Sequence, residues 1–218
     1  ELRRFNLLAD ENLFMMATGE QSYEQVVSAV GLVPDDYIIK PFSPEQLLLR
    51  LDRIVAKKEF FKDYYQAKRK QEYAEALAML AQKRDSEAGR PYRFEILRQQ
   101  AETEMASGDA KTAEETYRAI LNNYEFPWAR AGVARSLHKQ ERLSEAREEI
   151  ERVVSNTPTF FDAADLKASI CMAQGEAEEA QRVLDEVAKK TPRNYLRKRL
   201  LAEAATLNGD DEAARAAM

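Results

Sequence analysis

The side chains that most often carry out catalysis are scarce in this chain of 218 residues. His138 is its only histidine and Cys171 is its only cysteine. Neither has a second histidine or cysteine nearby with which to hold a metal or form a nucleophile–base pair. Cys171 falls at an inward position of a predicted helix, where a small packed thiol is expected. The chain also lacks a glycine-rich phosphate loop and a Ser/His/Asp set. We therefore expect no enzymatic activity and no cofactor bound by these residues.

Two polar side chains, Thr18 and Lys40, each end a short apolar run. The first run is "LFMMAT" at 13–18 and the second is "YII" at 37–39. Between them, the segment 23–30 has apolar residues at spacings of three and four, which is typical of an amphipathic helix. A strand, a helix and a strand joined by short connections predict a βαβ unit of a parallel sheet.

The second apolar run is followed by a helix start. Ser43 is a favourable N-cap, Pro44 suits the first helical position, and Gln46 can complete a capping box. The apolar residues that follow are expected on one helix face: Leu47, Leu48, Leu51 and Ile54. The sequence continues as "RIVAKKEFFKDYYQAKRK" without glycine or proline. We therefore expect this helix to continue into, or join closely with, the region that follows.

From about residue 57 onward, one pattern recurs along the chain. Its small residue is an alanine, and the steps between successive alanines are 37, 33, 34 and 34: Ala76, Ala113, Ala146, Ala180 and Ala214. A large apolar residue follows four positions after the first four of them: Leu80, Tyr117, Ile150 and Leu184. A glycine lies five positions before three of them and predicts a turn: Gly108, Gly175 and Gly209. This period predicts antiparallel helix pairs, each stacked on its neighbours.

The pattern resembles the tetratricopeptide repeat over roughly residues 57–218. The resemblance implies an α-solenoid whose first helices line a groove for a protein or peptide. Counted from the small residues, the expected groove positions include Arg98, Glu102, Trp128, Arg135, Lys139 and Asp165. Trp128, the only tryptophan, is expected either to anchor a partner or to pack on the preceding repeat. The charged residues between 145 and 152 are expected on solvated helix faces.

The segment 1–56 resembles the C-terminal half of a response-regulator receiver domain. The resemblance rests on "LFMMATGE" and "DDYIIKPFSPEQLLLRL", which occur in this order with a predicted helix between them. It implies that Lys40 pairs with a phosphoryl group and that Thr18 donates a hydrogen bond to the same group. It also implies that Pro41 follows Lys40 through a cis peptide bond and that Tyr37 is the switch aromatic, which moves inward.

The receiver resemblance also implies the partners and the metal of a complete domain. A histidine kinase would act upstream, and Mg²⁺ would be held by acidic residues on earlier strands. These residues and the phosphoryl-accepting aspartate are expected to precede Glu1, because Asp35 and Asp36 lie before the second strand and cannot replace them. We expect an apolar strand edge to be left open, where a second copy of the chain could form a homodimer.

Composition narrows the remaining classes of function. The formal net charge of −5 argues against a large nucleic-acid surface. No apolar run reaches the length of a membrane span, so none is predicted, and a single cysteine fits a reducing, cytoplasmic location. The predicted fold is mainly α, with a partial α/β receiver at 1–56 and an α-solenoid of about four to five helix pairs at 57–218. The leading interpretation is a phosphorelay response regulator whose repeats bind a protein. The alternative is a constitutive protein-binding scaffold with a vestigial receiver.

Overall fold

The computed structural model describes residues 12–19, 34–192 and 194–217. In these residues two strands precede a series of helices. The strands are β1 (Met15–Thr18) and β2 (Asp36–Ile39). The α-helices are α1 (Pro44–Arg69), α2 (Tyr73–Asp85), α3 (Arg93–Ala106), α4 (Ala110–Leu121), α5 (Pro127–Lys139), α6 (Leu143–Asn156), α7 (Phe161–Ala173), α8 (Ala177–Lys190), α9 (Tyr195–Leu207) and α10 (Asp211–Ala217), and a 3-10 helix spans Glu87–Tyr92.

The chain divides into two compact units between Ser107 and Gly108. The first unit contains both strands and helices α1 to α3, and the second contains α4 to α10. The sequence predicted a change from receiver to repeats at residues 56 and 57. Helix α1 passes through that position without a break, so the expectation of a continuous connection is confirmed, while the functional division at this point stays a prediction.

The two strands pair in parallel, as predicted. Met15 pairs with Asp36 and Thr18 with Ile39. These strands make up the whole sheet within the described residues, so the α/β receiver half is not confirmed. The helix predicted at 23–30 lies outside the described residues.

Helix α1 begins with the predicted capping box. The Ser43 side chain accepts a hydrogen bond from the Gln46 amide, and the Gln46 side chain accepts one from the Ser43 amide. Ile54 is buried, but Leu48 is 59% exposed, so its predicted place on the buried helix face is wrong. The reason is geometric: Leu48 lies one residue after half-buried Leu47, and one residue turns the side chain by about 100° around the helix.

The repeat pattern is built through its small residues. Ala76, Ala113, Ala146 and Ala180 are fully buried, which allows neighbouring helices to approach closely. The last repeat alanine, Ala214, is only half-buried. The large apolar residues four positions after the first four alanines are buried as well: Leu80, Tyr117, Ile150 and Leu184.

The turn before each repeat alanine uses the left-handed backbone region. The three predicted turn glycines have φ of 91°, 81° and 75°: Gly108, Gly175 and Gly209. The other two repeats place Gln71 and Glu141 there, with φ of 63° and 61°. The turn conformation is therefore common to all five repeats, although only three carry the residue best suited to it.

Each unit has its own apolar core. The first is centred on α1 and α2, with the rings of Phe61 and Tyr64 fully buried. The second includes Leu184 and Leu201 together with Cys171. The cysteine is free and buried, which confirms that it is a packed thiol.

Candidate functional site

Thr18 and Lys40 meet at the carboxyl ends of the paired strands. The Lys40 amide donates a hydrogen bond to the Thr18 carbonyl oxygen at 2.7 Å, and the Lys40–Pro41 peptide bond is cis. Thr18 is half-buried and Lys40 is exposed. Tyr37 lies further back on β2, opposite Met16. The structure thus brings the four predicted switch residues to one strand pair, and their role in sensing a phosphoryl group stays a prediction.

Asp35 joins the strand pair to helix α1, a contact that sequence reasoning missed. Its Oδ1 atom lies 2.8 Å from Lys58 Nζ, and both side chains are at most 10% exposed. Its Oδ2 atom accepts a hydrogen bond from the Phe14 amide at 2.8 Å. Lys58 Nζ also lies 5.3 Å from the centre of the Tyr65 ring. No local sequence signal pairs Asp35 with a lysine so far along the chain.

Two of the predicted groove residues in the first unit bind each other. Arg98 Nε donates to Glu102 Oε1 at 2.9 Å, one turn along α3. Both side chains keep substantial exposure, at 45% and 32%. The pair is therefore an ordinary i,i+4 contact on a helix surface.

Trp128 begins a row of aromatic rings at the start of α5. Its ring stacks on Phe126, with centres 5.5 Å apart and planes 17° apart. Phe126 stacks in turn on Tyr124 at 5.6 Å. Trp128 also meets the edge of Tyr117, on the preceding helix, at 6.4 Å. Trp128 therefore packs on the preceding repeat through Tyr117, and because it is half-buried, its contact with a partner stays a prediction.

Arg135 and Lys139 form an exposed basic pair one turn apart on α5. Both are exposed, and neither has an ion-pair partner among the residues that the structure describes. Arg135 follows Trp128 by seven positions, so the three side chains share one helix face. Burial, together with the charge of Lys139, lowers the pKa of the nearby His138. The imidazole is therefore neutral near pH 7, and the positive charge of this face comes from Arg135 and Lys139.

Asp165 is committed to a contact inside the second unit. Arg197, only 1% exposed, donates from Nε to Asp165 Oδ1 at 2.6 Å and from Nη2 to Oδ2 at 2.7 Å. This two-bond geometry is the strong form of an arginine–carboxylate pair. The pair connects α7 to α9. Sequence reasoning placed Asp165 in the groove and missed its partner, because Arg197 lies almost a full repeat further along the chain.

A network of charges crosses α4, α5 and α6. Glu114 accepts hydrogen bonds from Arg118 at 2.8 Å and from Arg142 at 2.7 Å. Glu149 accepts from Arg130 at 2.7 Å and is 9% exposed. The expectation of a solvated face for residues 145–152 is therefore wrong at Glu149, because this side chain points toward α5.

The described residues show neither a metal site nor a membrane helix. Within them, no three histidine, cysteine, aspartate or glutamate side chains are grouped in a way that could hold a metal ion. Among the described helices, none combines the length and the apolar character that a membrane crossing requires.

Comparison with known proteins identifies the fold of the helices. No family model and no curated protein matches the chain. A crystal structure of MamA is similar with a TM-score of 0.56 at 14% identity, covering 71% of this chain and 89% of that chain. MamA 41-end from Desulfovibrio magneticus RS-1 gives 0.56 at 18% identity, covering 74% and 90%. A Podosopora anserina putative kinesin light chain with TPR-like repeats gives 0.57 at 20% identity, covering 73% and 90%. The helices form a tetratricopeptide-like solenoid.

Helix α5 is the first helix of its pair, since the turn at Glu141 follows it. In tetratricopeptide arrays the first helices line a concave surface, and the place of Arg135 and Lys139 on such a surface stays a prediction. The comparisons give no support for a receiver domain, a response-regulator role, a histidine-kinase partner or a homodimer. On the receiver domain, the described part of the structure shows a sheet of two short strands.

Proposed function

We propose that this chain is a protein-binding scaffold. Its partner binds the face of α5 that carries Trp128, Arg135 and Lys139, on the concave side of the solenoid. The observation that carries the proposal is the exposed state of Arg135 and Lys139 beside Trp128, without an ion-pair partner in the described part of the chain. A scaffold needs no catalytic group, and the tetratricopeptide-like fold supports this class of function.

The arginines of the second unit provide a contrast with Arg135. Seven of them form ion pairs within the described residues: Arg118, Arg130, Arg142, Arg147, Arg152, Arg182 and Arg197. Arg135 pairs with no carboxylate of those same ranges, as is also true of Arg199 and Arg215, although acidic residues outnumber basic ones, 38 to 33, in the whole chain. Of these three arginines, Arg135 is the one that shares a helix face with Lys139 and Trp128. A basic face on an acidic protein favours a partner segment that carries carboxylates.

Trp128 adds an apolar contact to this basic face. Half-buried tryptophans are frequent anchors at interfaces because they bury a large area with little loss of side-chain freedom. The stack of Trp128 on Phe126 holds the indole in one orientation. The proposed partner segment therefore carries acidic side chains near an apolar one.

The test compares two double variants that make the same change of charge. R135E/K139E reverses the charge of the proposed binding face, and K189E/K190E reverses the charge of two exposed lysines at the end of α8. Proteins captured by the wild-type chain and identified by mass spectrometry are expected to be retained by K189E/K190E. We expect R135E/K139E to lose them by about tenfold or more, as for a central charged contact. Equal retention by both double variants would refute the proposal.

A second candidate function, the response regulator, is favoured by the contact between Thr18 and Lys40. The hydrogen bond between their backbones and the parallel pairing of the strands support a site at the carboxyl ends of β1 and β2. There the two polar side chains could bind a phosphoryl group. The test uses a chain in which residues 1–218 follow the first three strands of a receiver, treated with acetyl phosphate and Mg²⁺. We expect phosphorylation to change amide hydrogen exchange in α1, and Lys40→Ala to abolish that change. An absence of phosphorylation, or the same response in Lys40→Ala, would exclude this candidate.

A further inference from the structure

A polar surface cavity of about 270 Å³, largely open to solvent, lies beside the connection between α4 and α5. Its polar lining comes from α4, α5, α6 and that connection: Arg118, Asn122, Glu125, Arg130, Glu149 and Arg152. Arg130 follows Trp128 by two positions, which turns its side chain about 200° around the helix. The cavity is therefore on a different face of α5 from Trp128 and Arg135.

Three guanidinium groups in this cavity share one nearly buried carboxylate. Glu149 lies 2.7 Å from Arg130, 3.5 Å from Arg118 and 3.7 Å from Arg152. A guanidinium has five N–H donors and a carboxylate has about four acceptor sites. Glu149 therefore holds the three arginines together but leaves them with donors to spare.

Glu125 occupies part of this donor capacity from outside. Its two carboxylate oxygens accept hydrogen bonds from Arg130 Nη2 at 3.0 and 2.7 Å. Glu125 belongs to the connection between α4 and α5, and its side chain is 76% exposed. A contact between a carboxylate this exposed and an arginine contributes little to stability, so a competing anion can displace it at small cost.

We propose that this cavity binds an oxyanion, and that Glu125 is an internal stand-in for that ligand. When Glu125 moves away, Glu149 is the remaining carboxylate of the lining, whose net charge rises from +1 to +2. Arg118 keeps its bond to Glu114 outside the lining, so Arg130 and Arg152 have the most free donors. The Asn122 amide supplies a further donor at the rim. The ligand oxyanion is a phosphate group or the carboxylate of an acidic side chain, because both accept paired hydrogen bonds from arginine.

This site is independent of the proposed scaffold function. Trp128, Arg135 and Lys139 take no part in it, so either proposal can fail while the other holds. The Arg130 side chain is the group whose environment should change most, because it loses Glu125 and gains the ligand.

The experiment follows the arginine side-chain Nε–H signals by NMR while an anion is added. One arm uses inorganic phosphate, and the other uses an acetylated tetraglutamate amide. Shifts with phosphate alone identify a phosphate site, shifts with the peptide alone identify a site for acidic side chains, and shifts with both identify a general oxyanion site. No shift of Arg130 with either anion, in the wild type and in Glu125→Gln, would overturn the proposal.

Matched variants test the role of Glu125. Glu125→Gln removes the competing charge and should tighten binding about fivefold, as expected for one charge at close range in water. Glu145→Gln is the control, because Glu145 makes a similar exposed two-bond contact with Arg142 outside the cavity. It should bind as the wild type does. Equal tightening in both variants would show that anion binding responds only to the net charge of the protein, and it would refute the stand-in role of Glu125.

A third variant tests the arginines without disturbing the buried contact. Arg130→Gln would disturb Glu149, so the variant used is Arg152→Gln, because Arg152 is 57% exposed and 3.7 Å from Glu149. Arg152→Gln should keep the wild-type amide spectrum and weaken anion binding severalfold. Unchanged binding in this folded variant would contradict the site.

Discussion

Asp35 and Lys58 form a nearly buried ion pair that joins the strand pair to helix α1. The same carboxylate binds Lys58 Nζ with one oxygen and the Phe14 amide with the other, each at 2.8 Å. A two-stranded sheet is marginally stable alone. Asp35 directly precedes β2, binds the residue before β1 and pairs with α1, so we expect the strand pairing to depend on it.

Replacing Asp35 with asparagine should loosen the strand pair. The asparagine removes the charge that Asp35 contributes beside nearly buried Lys58, and breaking a buried pair of this kind costs about 3 kcal/mol. Hydrogen exchange should show faster exchange at the Lys40 amide, which is bonded to Thr18 in the intact pair. Asp36→Asn is the control, because its partner Arg50 is 43% exposed, and it should cost less than about 1 kcal/mol. Similar losses in the two variants would contradict the special role of Asp35.

Gly132 should not tolerate a methyl group. A Cβ atom at this position would lie 2.5 Å from the Tyr117 ring, so α4 and α5 would have to separate. Gly→Ala in a helix normally raises stability by about 1 kcal/mol, yet here we expect the free energy of unfolding to fall by about 1–3 kcal/mol.

Urea unfolding of Gly132→Ala measures this loss. In the double variant Gly132→Ala/Tyr117→Leu the ring is gone, so adding the alanine to Tyr117→Leu should cost less than adding it to the wild type. Gly19→Ala, where no atom lies within 4 Å of the added Cβ, should leave stability nearly unchanged. A Gly132→Ala variant as stable as the wild type would show that the helices can separate freely.

Glu141 offers a stabilising change. It adopts φ of 61° at the turn before α6, a conformation that costs a non-glycine residue about 1–2 kcal/mol. Glu141→Gly removes this cost and adds some chain entropy to the unfolded state, so a net gain of about 0.5–1 kcal/mol is expected. The reverse change at the equivalent turn, Gly175→Ala with φ of 81°, should lower the thermal midpoint. A lower midpoint for Glu141→Gly would mean that its side chain contributes more than its backbone costs.

Glu114 should make the second unit sensitive to acid. Burial raises its pKa, but hydrogen bonds from Arg118 and Gln140 and the charge of Arg142 outweigh this, and the pKa falls below the usual 4.5. A lowered folded-state pKa gives stability that is present above pH 4.5 and is lost as the pH falls through the folded value.

The free energy of unfolding measured between pH 3 and pH 7 checks this dependence. Glu114→Gln should be less stable than the wild type at pH 7, by about 1–3 kcal/mol for lost charge-assisted bonds, and the difference should shrink toward pH 3. The exposed neighbour Glu115 is the control, and Glu115→Gln should stay close to the wild type at each pH. A difference between Glu114→Gln and the wild type that does not change with pH would contradict the assignment.

The repeats could be predicted from sequence because their signal is periodic. A small residue once in every repeat, buried in the first four, and a large apolar residue four positions later are local rules, and both are met at Ala146 and Ile150. The capping box at Ser43 is likewise written in four consecutive residues. The parallel pairing of the strands followed from the connection between them.

Contacts across many residues could not be predicted in this way. Lys58, Arg197 and Glu149 read as ordinary charged helix residues, and each is buried by a partner on another element. Of the predicted groove residues, Asp165 is held by Arg197 while Arg135 and Lys139 stay exposed, a difference that spacing does not encode. The turn at Glu141 was missed because no glycine marks it.

The unbroken helix α1 fixes the distance between its two ion-pair contacts with the start of β2. Its 26 residues span about 39 Å. It contacts two neighbouring residues at the start of β2 through two side chains, Arg50 to Asp36 and Lys58 to Asp35. These side chains are eight residues apart, about 12 Å along the axis. Inserting one residue between them would turn one of the two side chains away by about 100° and break its ion pair. Any chimera that grafts these strands onto another solenoid must therefore keep this eight-residue step.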